Sequence, residues 1–494
     1  MKSSNIYFNL YGVYIIKQYL SKNNYNEDFI NALNKQIDDE FLSLISLLLN
    51  KDNKKMSFEI LIILINVTYT KEGEMLFGNE QNVVENIFNF INKNKKDIIL
   101  IEFSLMLIKH ITSKNSLVKQ ILYNCKILDL FNEIYQIYLL NSDIIDHLIL
   151  CLGHFINSRF SNNKNMLFSI KIIKSQLNNN TNFHRLLTYI YILYNLVYYH
   201  NPEIIKKMID EEIHKSLMDI FPFDDISLTS FNKNTKNNNI NDININDEEE
   251  FKKKFRKFRL IIIKILENIL TLEEHEYIQK IIDSGIAQFI NRLLQLSDIK
   301  IIKNTFNCIF MICYGTFGHI SNLYENNTIS LALKVSKNIY EAFNSQNQFI
   351  NNISKEDFIG ALKEISKAFS LLIKNSLHEQ LVPVIKYEKG FILLLLKDSL
   401  KIFQDIPDND DLITFICQAF YKLLKSSDFN IKEFLLKNGF KEILEKLQIN
   451  QNEDIVKTAE IIYDEYFEDF EDNSNSNNIN INDIIDDCEY NDDE

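Results

Sequence analysis

Tryptophan is absent from this 494-residue chain, and only 4 Pro and 10 Gly punctuate it. So few breakers leave little room for the turns that sandwiches and barrels require. Cysteine is sparse as well: Cys125, Cys151, Cys308, Cys313, Cys417 and Cys488 stand apart, with no CxxC pair. With no regular framework among them, a reducing compartment, cytoplasm and nucleus, fits better than a secreted one. No uninterrupted apolar run approaches the ~18 residues that cross a bilayer, so no membrane partner is expected. Ile6 to Ile16 contains Asn9 and lacks a small-residue cleavage site, so it is not read as a secretion signal.

Catalytic signatures are missing too. No GxGxxG or Walker loop occurs, and the 9 His are mostly single, without a neighbouring Ser or Cys nucleophile motif. His147, Cys151 and His154 fall on one helical face and include zinc-ligand types, but no fourth ligand is evident. The chain is therefore read as a non-enzyme with no catalytic residue, no metal and no cofactor. The formal charge of -14 is concentrated at one end: residues 464–494 hold 13 acidic residues and no Lys or Arg, leaving -1 for the rest. A near-neutral body argues against nucleic acid as a partner.

What is present is an iterated apolar pattern. Hydrophobic residues make up 46% of the chain, and helix-long stretches recur at Phe58 to Asn66, Glu102 to His110, Asp146 to His154 and Leu187 to Asn195. Each ends in an amide or imidazole, and the separations of 44, 44 and 41 residues match the ~40–47 of an armadillo or HEAT unit. Gly285, Gly439 and, more loosely, Gly390 separate short amphipathic segments, as helix junctions do. The expected fold is all-α, an armadillo/HEAT-type right-handed superhelical solenoid of roughly nine or ten repeats with one concave groove. Its boundaries are an N-terminal segment 1–27, a solenoid 28–467 with a disordered insertion at about 232–250, and an acidic disordered tail 468–494. The stretch Phe251 to Arg259 reads as the amphipathic start of a helix with solvated cations, or alternatively as a basic patch.

The last unit is the most specific segment. Gly439-Phe-Lys-Glu-Ile-Leu-Glu-Lys-Leu-Gln448 leads through Asn452, Glu453, Ile455, Ala459, Ile461 and Ile462 to Tyr466-Phe467 and a run of acid. This resembles the terminal armadillo repeat of importin-α proteins. Phe58-Glu59 with Asn66, Cys151-Leu152-Gly153-His154, Asn195-Leu196 with Asn201-Pro202, and Ile278-Gln279 with Ile282 to Gly285 are similar to other segments of that family.

The resemblance implies a concave groove that holds an extended peptide, a nuclear localisation signal on a cargo protein. In the family a Trp and, four residues later, an Asn line that groove. The Asn positions here are Asn66, His110, His154 and Asn195, and the Trp positions are Ile62, Met106, Leu150 and Tyr191. Further along, the equivalents are Asn307 with Met311 and Lys367 with Leu371. Each lost Trp removes a cation–π slot of ~0.5–2 kcal/mol, which weakens basic peptides. Residues 1–27 carry only Lys2, Lys17 and Lys22, so the basic arm that recruits importin-β in the family is missing and importin-β is not an expected partner. The resemblance also implies that a recycling exportin contacts the last repeats. An armadillo scaffold for a cytoskeletal, ciliary or chaperone partner is the alternative.

Overall fold

The computed structural model describes residues 39–468 apart from 51–52, 69–76, 157–162, 179–180, 199–200, 224–244, 273, 346–353 and 427–430. Every regular element among these residues is helical. The chain divides into two units, Met1–Ser216 and Leu217–Glu494.

In the first unit, four long helices form the frame: α1 (Lys54–Val67), α2 (Ile98–Thr112), α3 (Ser142–Ile156) and α4 (Phe183–Tyr198). Each packs against the next in sequence order, and further helices such as Gln81–Asn94, Ser116–Asn124 and Ile127–Ile137 lie between them in the chain. The second unit repeats the plan with α5 (Ile245–Leu270), α6 (Ile299–Cys313), α7 (Lys355–Asn375), α8 (Asp410–Lys425) and α9 (Glu453–Tyr466), again side by side. Pairs such as His275–Asp283 with Ile286–Leu294 connect them.

The apolar runs explain this arrangement. In α1, Met56, Ile60, Leu61, Ile63, Leu64, Ile65 and Val67 are all buried, leaving one narrow face toward solvent. A helix apolar over most of its circumference cannot be covered by a single neighbour, so it is flanked on both sides. Phe131 meets Phe155 at 6.3 Å between ring centroids, and Phe420 meets Phe440 at 4.6 Å, extending one continuous core along each unit.

The expected junctions are left-handed turns. Gly285, Gly390 and Gly439 have φ of 92°, 83° and 72°, where glycine carries no Cβ penalty. Other junctions carry side chains in the same region: Lys126 at φ 63° opens Ile127–Ile137, Glu212 at φ 53° precedes Ile213–Asp219, and Asn327 at φ 59° opens Thr328–Asn344.

Two boundaries come out differently from the sequence reading. Helix α5 begins at Ile245, so the end of the stretch assigned to the disordered insertion 232–250 is helical; its remainder lies outside the described residues. Segment 1–27 and residues 469–494 also lie outside them. The Phe251 to Arg259 stretch is the amphipathic part of α5: Phe255 and Phe258 are buried, Arg256 pairs with Asp298, and Arg259 donates to the carbonyls of Pro222 and Phe223 at 2.8 and 2.9 Å.

Candidate functional site

Each long helix of the first unit starts on an Asn or Asp that accepts a backbone N–H. Asn53 takes Met56 N–H at 3.0 Å, Asp97 takes Leu100 at 3.2 Å, Asn141 takes Ile144 at 3.0 Å and Asn182 takes His184 at 2.9 Å. These caps satisfy orphan donors and fix where each helix begins. Counting from them, Asn66, His110, His154 and Asn195 all stand 13 positions on. A fixed start plus an equal offset puts the four side chains at the same turn of four successive long helices.

Ile62, Met106, Leu150 and Tyr191 stand one turn earlier, and all eight residues are half-exposed, each beside at least one buried helix neighbour. One strip along α1 to α4 therefore carries the sequence-predicted set. The helices that carry it also touch nearer their starts: Phe58 of α1 and Phe103 of α2 meet edge-on at 4.8 Å, and Arg185 of α4 pairs with Asp143 at 2.9 Å and with Asp146, both of α3. Burial drives the Asp146 carboxyl up to about 6 against the pull of Arg185.

The polar groups are not equivalent. The side-chain amides of Asn66 and Asn195 make no hydrogen bond to any described residue, so each offers both a donor and an acceptor. His154 is held from one side. The Thr112 hydroxyl donates to the Ile108 carbonyl at 2.6 Å, so its oxygen is left to accept from His154 Nδ1–H at 3.0 Å. That fixes the tautomer and leaves Nε2 as an acceptor. Burial, reinforced by Lys119, Lys109 and His110, pushes the His154 imidazole down to about 4, so it is neutral at pH 7.

The His147, Cys151, His154 face does not converge on a point. Cys151 is fully buried, its thiol pushed up by burial and donating to the Leu105 carbonyl at 3.3 Å, while His154 turns to Thr112. Among the described residues no group of three or more His, Cys, Asp or Glu is placed to hold a metal, and no helix is long and apolar enough to cross a membrane.

In the second unit the caps correct the register. Asp298 caps α6 and Ser354 caps α7, with Ser354 Oγ accepting Asp357 N–H at 3.1 Å. Thirteen positions on are Met311 and Lys367. Lys367 thus occupies the place assigned from sequence to Leu371, which is 2% exposed and part of the core. Asn307, one turn before Met311, donates to Glu267 of α5 at 2.5 Å. The recurrent Asn or Asp at 53, 97, 141 and 182 was a readable signal for this register, stronger than the apolar runs once these fill with Lys.

No protein-family model matches the sequence, and no curated protein sequence does. Solved structures do. A chain from a structure concerned with a phosphorylation switch controlling the interaction between cadherin and β-catenin superposes with a TM-score of 0.63 at 12% identity, over 94% of this chain and 81% of that one. An engineered protein superposes with a TM-score of 0.59 at 12% identity, over 93% of this chain and 95% of its own. A designed armadillo repeat protein in complex with the peptide (KR)4 covers 60% of this chain and 99% of its own at 19% identity, with a TM-score of 0.41, too low to define a fold. At such identities the likeness establishes architecture alone: this is an all-α solenoid of the armadillo type.

Proposed function

We propose that the chain is a non-catalytic adaptor that holds an extended segment of another protein along the α1 to α4 strip, gripping it by its backbone. The supporting observation is the equal placing of Asn66, His110, His154 and Asn195 on four stacked helices, with amides at both ends that have no partner among the described residues. An extended peptide has an unpaired N–H and C=O at every residue, and a row of donor–acceptor side chains satisfies them without reading sequence.

The finer form of this reading is an importin-α-like adaptor: the segment is a nuclear localisation signal, the protein works between cytoplasm and nucleus, and its last repeats meet a recycling exportin. Its support is the likeness of Gly439 to Phe467 to the terminal repeat of that family. The alternative, a scaffold for a cytoskeletal, ciliary or chaperone partner, is favoured by Ile62, Met106 and Leu150, whose aliphatic side chains give a Lys stem no aromatic face.

Fluorescence anisotropy with a labelled basic signal peptide, and with an uncharged extended peptide of equal length, separates them. Adaptor function of the importin-α type requires the basic peptide to bind and to be weakened about tenfold by Asn66→Ala with Asn195→Ala. Binding of the uncharged peptide with the same sensitivity, and none of the basic one, supports the scaffold. If neither peptide responds to the double substitution, the strip is not the binding surface.

A further inference from the structure

The second unit carries a different row. Lys303 of α6 reaches over Gly360 of α7, where a Cβ would lie 3.3 Å from its Nζ. Lys363 and Lys367 follow on the same half-exposed face of α7, and Lys363 is pushed down by burial and by the positive charge of Lys367 and Lys303. At the end of α7, Lys374 donates to Gln418 of α8 at 2.9 Å, and Lys422 of α8 donates to the Lys374 carbonyl at 3.0 Å. Burial pushes Lys422 down as well.

The carboxylates facing this row are too few to balance it. Glu364 stands 3.7 Å from Lys367, and Asp408 contributes at the edge, where its carbonyl accepts from Lys363 at 3.4 Å. Glu267 is occupied by Asn307 and is itself pushed up by burial. Crowded cations that are partly desolvated and incompletely paired are a surface prepared for an anion.

We propose that the acidic segment 469–494 of this same chain lies along the α6 to α8 lysine row and masks it. The segment holds ten acidic residues and no Lys or Arg. It follows in sequence on Phe467 and Glu468, and Phe467 is fully buried and meets Phe440 at 5.9 Å. Three helix spacings of ~8–10 Å separate α9 from α6, whereas 26 extended residues reach up to ~90 Å. Tethering raises the local concentration to the order of millimolar, so weak pairing suffices. An acidic partner must displace the segment to reach the row, which makes the mask a specificity filter. This inference does not depend on what binds α1 to α4.

Zero-length carbodiimide cross-linking of the full-length monomer, read by mass spectrometry, is the direct test. The expected result is links from Lys363, Lys367 and Lys374 to carboxylates within 469–494, with the links from the retained Lys374 lost in the Lys363→Gln, Lys367→Gln double variant, whose circular dichroism is unchanged. In parallel, a full-length variant with the ten acidic residues changed to Asn or Gln should bind a labelled synthetic 469–494 peptide about tenfold more tightly than the native chain, with affinity falling as salt rises. The proposal is overturned by links that form only between two copies or only to lysines of the first unit. It is equally overturned if the neutralised chain binds the peptide no better, or if single-stranded oligonucleotide occupies the row regardless of the segment's charge.

Discussion

His154 and His214 are both held down to about 4, chiefly by burial, while a histidine in the unfolded chain titrates near 6.5. The folded chain therefore binds these protons less readily than the unfolded one. Their stabilisation is complete above 6.5 and is lost as pH falls from 6.5 toward 4. Asp146 works the other way: raised to about 6 from 3.8, it stabilises below 3.8 and loses that share as pH rises toward 6, blunting the histidine effect without removing it. His154→Gln keeps a polar group beside Thr112 but cannot gain a proton. Urea unfolding at about pH 7.5 and about pH 4.5 should show the native chain losing ~1–3 kcal/mol more stability over that interval than the variant. The position of His154 was legible in sequence because it recurs with Asn66, His110 and Asn195. Its tautomer was not, since Thr112 lies 42 residues away and meets it only when α2 and α3 pack.

Junctions govern the elements. Gly285 at φ 92° and Lys126 at φ 63° do the same job with opposite conformational cost. Gly285→Ala should lower unfolding free energy by ~1 kcal/mol, and Lys126→Gly should raise it by up to ~1 kcal/mol, both read from denaturant midpoints at constant slope. The glycine junctions could be read from the sequence. Lys126 and Asn327 could not, because a side chain in the left-handed region is imposed by the helices on either side and not by local preference. Gly153 of α3 marks another constraint: an added Cβ would lie 2.9 Å from Ile192 Cδ1 of α4. Gly153→Val should therefore cost ~1–3 kcal/mol through overpacking of a tight helix pair, with a thermal midpoint below that of Gly318→Ala, whose nearest neighbour is 3.8 Å away.

At the scale of the molecule, each repeat within a unit is stabilised by its neighbours, so damage at an end stays local. Phe467 closes the last core layer against Phe440, which in turn packs on Phe420. Phe467→Ala should cost ~3–5 kcal/mol, and hydrogen exchange should show lost protection in Ile431–Lys437, Phe440–Leu447 and α9 while α5 and α6 remain protected. Uniform loss along the chain would contradict a modular solenoid. By itself the sequence determined that the chain is helical and iterated, and which four side chains recur, because periodicity and the shortage of Gly and Pro are local properties of the chain. Tertiary packing alone decided that Leu371 is core and Lys367 takes its place, that His154 is neutral and one-sidedly bonded, and that lysines from three helices gather into one row. Those outcomes depend on which helix faces are covered, and covering is a relation between segments tens of residues apart that no single segment encodes.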